Sequence, residues 1–238
     1  MTHLLTVAPS LLFVIDFDGT VAVDDTVDAL LERFAHPDWR RIEQRWVRGE
    51  IDSRQCMAAQ IALVNADDGA LLEFLESVKI DPDFAAFVNY VKDFAQVAIA
   101  SDGLDYPIAF ALERLGLSVP FSANRLTFHP GGLGISFPHS DAACTVGSGV
   151  CKCAVARRIN VGRGLPMVLI GDGRSDLCVA RTADYVFAKG TLRNYCESEN
   201  INHSPFETFR DVLTVVRRWE AHQFEDAPWE IECPLIPG

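Results

Sequence analysis

The run Leu11-Leu12-Phe13-Val14-Ile15 is apolar at every position and stops on Asp16-Phe17-Asp18-Gly19-Thr20. Such a run describes a strand covered on both faces, as in a parallel sheet packed between layers of helices. In open α/β sheets ligands bind beyond the carboxyl ends of the strands, so the two acids fall where chemistry is expected. One carboxylate there can attack a phosphorus atom while the other moves a proton, and a magnesium ion can offset their mutual repulsion. The same residues also fit a strand entering an Asp-Gly turn. The rest of the chain decides between the two.

Three more apolar runs, Val97 to Ala100, Met167 to Ile170 and Tyr185 to Ala188, alternate with helical patterns at Ile108 to Leu115, Cys153 to Ile159, Asp176 to Thr182 and Phe206 to Ala221. Gly116 is placed to end the first of these helices. Strands alternating with helices predict an α/β fold with a doubly wound, mostly parallel, Rossmann-like sheet. Gly131-Gly132, between two alternating segments of Arg125 to Pro138, signals a hairpin. The proline-rich tail from Ala227 to Gly238 reads as an extended surface segment.

From Asp24 to Asp81 there is no strand pattern. Instead Val27/Leu30/Leu31/Phe34, Trp39/Ile42/Trp46, Met57/Ile61/Val64 and Leu71/Leu72/Leu75 follow helical spacing, punctuated by Pro37, Gly49 and Asp67-Asp68-Gly69. A piece this long is not a crossover loop. The expected organisation is a core of residues 1–23 and 82–238, with residues 24–81 forming a helical cap that stands over the Asp16/Asp18 turn like a lid.

The 238 residues carry a net charge of −12, which argues against nucleic acid or an anionic membrane as partner. No apolar run approaches the roughly 20 residues of a membrane span, and the N-terminus lacks the pattern of a signal peptide. A cytoplasmic location is expected. The seven cysteines are odd in number and scattered, so reduced thiols are expected. Cys144, Cys151 and Cys153 cluster, but no fourth ligand follows at zinc-ribbon spacing.

Three segments fall where the first acid pair needs help. Ser101-Asp102-Gly103 follows the second strand, and its hydroxyl and backbone amides can hold phosphoryl oxygens or simply cap a helix. Lys152 opens the helix before the third strand, where its charge can neutralise a carboxylate and a phosphoryl group. Gly171-Asp172-Gly173-Arg174-Ser175-Asp176 follows that strand with two more acids, and suits either an oxygen-rich magnesium site or a turn into a capped helix.

Taken together, Asp16-x-Asp18-Gly-Thr20, Ser101, Lys152 and Gly-Asp172-Gly-x-x-Asp176 resemble the haloacid dehalogenase superfamily of phosphohydrolases. The helical insert after the first motif is similar to the cap of the phosphoserine-phosphatase branch. The resemblance implies a magnesium-dependent phosphomonoester hydrolase acting on a small metabolite. Asp16 is the implied nucleophile that becomes an aspartyl-phosphate, and Asp18 the general acid and base. Ser101, Gly103 and Lys152 would hold the phosphoryl group. Mg2+ would be bound by Asp16, the Asp18 carbonyl and Asp172, with Asp176 in support.

For the leaving group, Ile135-Ser136-Phe137-Pro138-His139 and Gly149-Val150-Cys151-Lys152 resemble methionine-salvage phosphatases acting on 2-hydroxy-3-keto-5-methylthiopentenyl-1-phosphate. Phosphoethanolamine/phosphocholine phosphatases show a similar Cys-Lys context. Asp25 stands where phosphoserine phosphatases greet the substrate amine, and equally fits a helix N-cap. Gln60 stands where their carboxylate-binding arginine would be, which argues against phosphoserine. Transfer of the phosphoryl group to another hydroxyl, or binding without catalysis, remain the alternatives.

Overall fold

A computed structural model describes residues 11–130, 132–144 and 147–221. The strand read first, β1 (Leu11–Ile15), lies near the middle of a seven-stranded sheet ordered β4-β3-β2-β1-β5-β6-β7. Its neighbours are β2 (Ala95–Leu104) and β5 (Met167–Gly171), both parallel to it. Outward lie β6 (Tyr185–Ala188) and β7 (His203–Pro205) on one side, and β3 (Phe121–His129) on the other, again parallel. Only the edge strand β4 (Gly132–Ser136) is antiparallel, completing the expected hairpin with β3.

The period-two alternation of β1 divides its side chains between two cores. Leu11, Phe13 and Ile15 join a cluster with Phe84 and Phe87 of α5 (Phe84–Val91) and Phe209 of α10 (Phe209–Ala221). The rings of Phe13 and Phe87 meet edge to face at 5.1 Å, those of Phe84 and Phe209 at 5.0 Å. Leu12 and Val14 point the other way, to Val155 of α7 (Lys152–Asn160), Val179 of α8 (Leu177–Ala180) and Leu192 of α9 (Gly190–Glu199). Helices therefore cover both faces, which is what an all-apolar strand requires.

Between β1 and α5 run four helices, α1 (Thr26–Phe34), α2 (Trp39–Val47), α3 (Ser53–Ile61) and α4 (Asp68–Ser77). Asp25, Asp52 and Asp67 cap the first, third and fourth with their side chains. The segment leaves and re-enters the sheet at one point. Ala22 and Ile80 form an antiparallel bridge, Val23 N–H donates to the Lys79 carbonyl at 2.9 Å, and Asp81 N–H donates to that of Val21 at 2.9 Å. The four helices make a third core with Leu104, Leu126 and Leu133, so the β3–β4 hairpin and the end of β2 support them. Buried Asp81 fastens the re-entry point: its side chain accepts from Asp83 N–H at 2.9 Å and from Phe209 N–H, at the start of α10, at 3.1 Å.

Several expectations need correction. β2 continues through Ser101 to Leu104 rather than ending at Ala100. The helix expected over Asp176 to Thr182 is a 3₁₀ turn (Arg174–Asp176) followed by the four residues of α8, and α10 begins at Phe209. Leu72 is exposed, because Phe74 takes its expected place between Leu71 and Leu75. Helix α6 (Asp105–Arg114) ends as read, with Gly116 at φ +64°. α5, α9 and β7 were not anticipated. The first is apolar on nearly every side and hides its period, while α9 buries only Leu192 and Cys196. The tail from Ala227 and residues 1–10 lie outside the described residues.

Candidate active site

The carboxyl ends of β1, β2 and β5 converge with the N-terminus of α7 on one cluster. Asp16 directly follows β1, and its Oδ2 lies 2.7 Å from Lys152 Nζ. The same ammonium lies 2.7 Å from Asp176 Oδ1. Lys152 and Asp176 have side chains 1% and 0% exposed, so this is a buried ion triad that meets the cavity only at Asp16. Burial alone would lower the lysine pKa; the Asp16 and Asp176 carboxylates outweigh it and hold the value above its ordinary range. Asp16 is shifted upward by burial and by Asp176, with Lys152 opposing. Asp172, after β5, is also raised by burial first and then by Asp176.

Asp18 faces away from that triad. Its Oδ1 accepts from both the backbone N–H of Thr26, at 2.9 Å, and the Thr26 hydroxyl; its Oδ2 accepts from the Ser101 hydroxyl at 3.2 Å. Burial, then the charge of Asp25, push its pKa up to about 7 despite those hydrogen bonds. The turn after the two acids needs its glycine. Gly19 has φ +66°, and a Cβ there would sit 2.5 Å from Asp172 Oδ2. Gly103 is constrained by space: a Cβ would meet Asp18 Oδ2 at 2.0 Å.

The expected phosphoryl holders are present but occupied with one another. Gly103 N–H donates to Ser101 Oγ at 2.9 Å, and that hydroxyl in turn donates to Asp18. Oxygens of Asp16, Asp172 and Asp176 lie within 4.8 Å of one another, the single three-ligand group of this kind among the described residues. An all-carboxylate set of hard oxygens suits Mg2+ rather than a softer metal. Cys144, Cys151 and Cys153 do not form such a group.

A cavity of about 550 Å³ opens above the cluster, lined by Asp16, Asp18, Ser101, Gly103 and Asp172 below and by residues of α1 to α3 above. Asp25 and Gln60 both line it. The Oδ1 of Asp25 accepts from Val27 N–H and Asp28 N–H, both at 2.9 Å, so it does serve as an N-cap. Gln60 is buried, with its Nε2 3.5 Å from the Trp39 carbonyl.

Sequence reasoning passed over several lining residues. Asp28 of α1, Glu43 and Trp46 of α2 and Met57 of α3 face the cavity, and Arg174 enters from the opposite side with its guanidinium 5.8 Å from the Trp46 ring centre. Burial, then Asp25, Glu43 and Glu32, raise Asp28 to about 6. No short-range motif links these positions, although Arg174 sits inside one already singled out. Thr26 was also missed, and Thr20, quoted in the first motif, was given no role there. Thr20 donates to Asp172 Oδ1 at 3.2 Å, and its place two residues after Asp18 was a usable signal. Asp102 accepts from Val150 N–H at 2.8 Å, tying the end of β2 to the segment that delivers Lys152.

A model of the haloacid dehalogenase-like hydrolase family matches residues 13–181. The chain is similar to 2-hydroxy-3-keto-5-methylthiopentenyl-1-phosphate phosphatase of Geobacillus kaustophilus, 31% identical over 209 residues, covering 86% of this chain and 94% of that one. It is 30% identical to the protein of the same name from Brevibacillus brevis, over 85% of this chain and 93% of that one. Among solved structures, a substrate-bound phosphoserine phosphatase superposes with a TM-score of 0.66 at 19% identity, covering 88% of this chain and 99% of the other. At that identity the likeness speaks for the fold alone.

Proposed function

Because the chain belongs to the haloacid dehalogenase-like hydrolase family, we propose that it hydrolyses a small phosphate monoester in two steps through a phosphorylated Asp16. The observation that carries this reading is the buried Lys152 ammonium 2.7 Å from both Asp16 and Asp176, beside a second acid, Asp18, held apart from it.

Asp16 is the nucleophile: its carboxylate oxygen attacks phosphorus as the ester oxygen departs. Asp18, raised to about 7, carries a proton in a large share of molecules near neutral pH and gives it to that oxygen, then takes one from the water that cleaves the acyl-phosphate. Lys152 keeps Asp16 charged and offsets the phosphoryl oxygens, and Asp176 aims Lys152. Ser101 and Gly103 turn their donors from each other and from Asp18 to those oxygens. Asp16, Asp172 and the Asp18 carbonyl would hold Mg2+, with Asp176 behind them. Bound there, the ion would supply positive charge that offsets the phosphoryl oxygens. Helices α1 to α4 serve as a cap that excludes water from the cavity, with residues 24–81 as its extent.

For the leaving group, the first candidate is the ester named for the curated relatives, 2-hydroxy-3-keto-5-methylthiopentenyl-1-phosphate. Val27, Trp46 and Met57 offer apolar contact for a methylthio group. A second reading, an amine-bearing ester such as phosphoethanolamine or phosphocholine, is favoured by Asp25, Asp28 and Glu43 in the same cavity. The reaction would take place in the cytoplasm.

Phosphate release from a panel holding these esters and phosphoserine, with Mg2+ present and Asp16→Asn as control, tests both parts. Selective turnover of one ester, lost in the variant, supports the mechanism and chooses the leaving group. Turnover undiminished in Asp16→Asn would refute the covalent route. Phosphate appearing on an added alcohol instead of in solution would make the protein a phosphotransferase.

A further inference from the structure

Cys153 and Cys178 are 25 residues apart in sequence, yet their sulfurs lie 2.8 Å from each other. Both are half-buried rather than sealed in the core. Cys153 directly follows Lys152 on α7, and Cys178 comes two residues after Asp176 on α8. A disulfide has an S–S length of about 2.05 Å, so the sulfurs need approach by only about 0.75 Å. Rotation of two side chains on packed helices can supply that without separating Lys152 from Asp176. Along the chain Cys153 clusters with Cys144 and Cys151; the fold sets Cys178 against it.

We infer that Cys153 and Cys178 form a reversible disulfide when the protein meets hydrogen peroxide, stapling α7, which opens with Lys152, to α8, which directly follows Asp176. One sulfur takes a hydroxyl from the peroxide, becoming a sulfenic acid as hydroxide departs. The neighbouring sulfur attacks it, the S–S bond forms as the S–O bond breaks, and the hydroxyl leaves as water. In sum, two thiols and one peroxide give one disulfide and two waters. The bond also keeps either sulfur from moving on to sulfinic acid, which thiols do not reverse. The device protects the ion triad's surroundings rather than taking part in catalysis.

The experiment treats the whole protein with a small excess of hydrogen peroxide, blocks the remaining thiols, and digests with trypsin. Cleavage after Lys152, Arg157, Arg174 and Arg181 puts Cys153 and Cys178 on separate short peptides, residues 153–157 and 175–181. The expected product is those two peptides joined, 2 Da lighter than their sum and released by dithiothreitol. Closing a loop of this size is expected to raise the Tm by roughly 5–10 °C. Neither the joined peptide nor the rise should occur in Cys153→Ser or in Cys153→Ala. In both variants Cys178 should instead gain 32 Da that dithiothreitol does not remove. A disulfide from Cys178 to any other cysteine, or wild-type protein in which Cys178 gains the 32 Da unpaired, would overturn the inference. So would a Tm rise that survives in both variants.

Discussion

Thr26 holds the Asp18 carboxylate from two sides, through its backbone N–H at 2.9 Å and through its hydroxyl, both on Oδ1. Thr26 is also the first residue of α1, so the orientation of the acid depends on the first turn of the helical segment. Replacing the hydroxyl by a methyl group in Thr26→Val keeps the backbone bond and removes the other. General acid–base catalysis is worth about 10²–10⁴-fold, so partial loss of alignment should lower kcat by about tenfold or more. Thr26→Ser should restore most of it. Equal rates for the two variants, measured on one ester, would mean that the hydroxyl does not position Asp18.

Asp18 should also be visible in the pH profile. With a pKa of about 7, it is protonated below that pH and loses the proton above it. The kcat/KM for an alkyl phosphate, whose alkoxide needs the proton, is expected to fall as pH rises through about 7. For 4-nitrophenyl phosphate, whose leaving group needs none, the fall should be much shallower. Superimposable profiles for the two esters would remove Asp18 from the role of acid.

Removing Lys152 leaves two buried carboxylates facing each other. In Lys152→Met the folded protein should lose about 3–5 kcal/mol at neutral pH, the usual cost of breaking a buried ion pair, and activity should disappear. The sign of the pH dependence follows. Without the ammonium the folded-state pKa of Asp16 rises further, so over the range above the ordinary carboxylate value the folded protein binds protons that the unfolded chain does not. Stability therefore falls as pH rises. Urea titrations at pH 5 and pH 8 should show the variant closer to wild type at the lower pH.

The same linkage governs the metal-free protein. Asp16, Asp18 and Asp172 all have raised pKa values when folded, so their contribution opposes folding as pH climbs from about 4, where unfolded carboxylates titrate, towards about 7 for Asp18. EDTA-treated protein is expected to melt lower at pH 8 than at pH 6. Added Mg2+ should raise the Tm, and more so at pH 8. Full activity in EDTA, or no Mg2+ effect on melting at either pH, would dismiss the ion.

Asp81 offers a stability test remote from the reacting atoms. Its side chain joins the neck of the helical segment to the first turn of α10 by accepting from Phe209 N–H. Asp81→Ala should cost about 1–3 kcal/mol, the penalty for leaving a buried donor unpaired. The kcat measured well below the melting temperature should be unchanged.

The sequence revealed most where one residue's neighbours in the chain are also its neighbours in space. Asp16 and Asp18 lie at the end of an apolar strand, Asp172 and Asp176 in one turn, and all were found because strand ends converge in this kind of sheet. Lys152 was found through its place before β5, although its two carboxylate partners come from different strand ends. The chain gave no sign of Thr26 reaching back to Asp18, because that bond crosses from turn to helix. It was equally silent on Asp28, Glu43, Trp46 and Arg174 surrounding one space, since the packing of short helices sets their directions. Helix α9 escaped because a surface helix that buries two side chains leaves no stripe to read.

Among the described residues, the bridge between Ala22 and Ile80 gives the helical segment its one point of attachment by backbone hydrogen bonds, the two ends lying side by side as in a hairpin. A segment with that geometry is exchangeable. Inserting a different bundle there, or a short turn, would leave the register of β1 with β2 and β5 untouched, because none of their ladder bonds passes through it. Exchanging everything beyond the neck in one step would change what lines the cavity from above and would take Thr26 away from Asp18, while Asp16 and Asp172, placed by β1 and β5, stayed where they are.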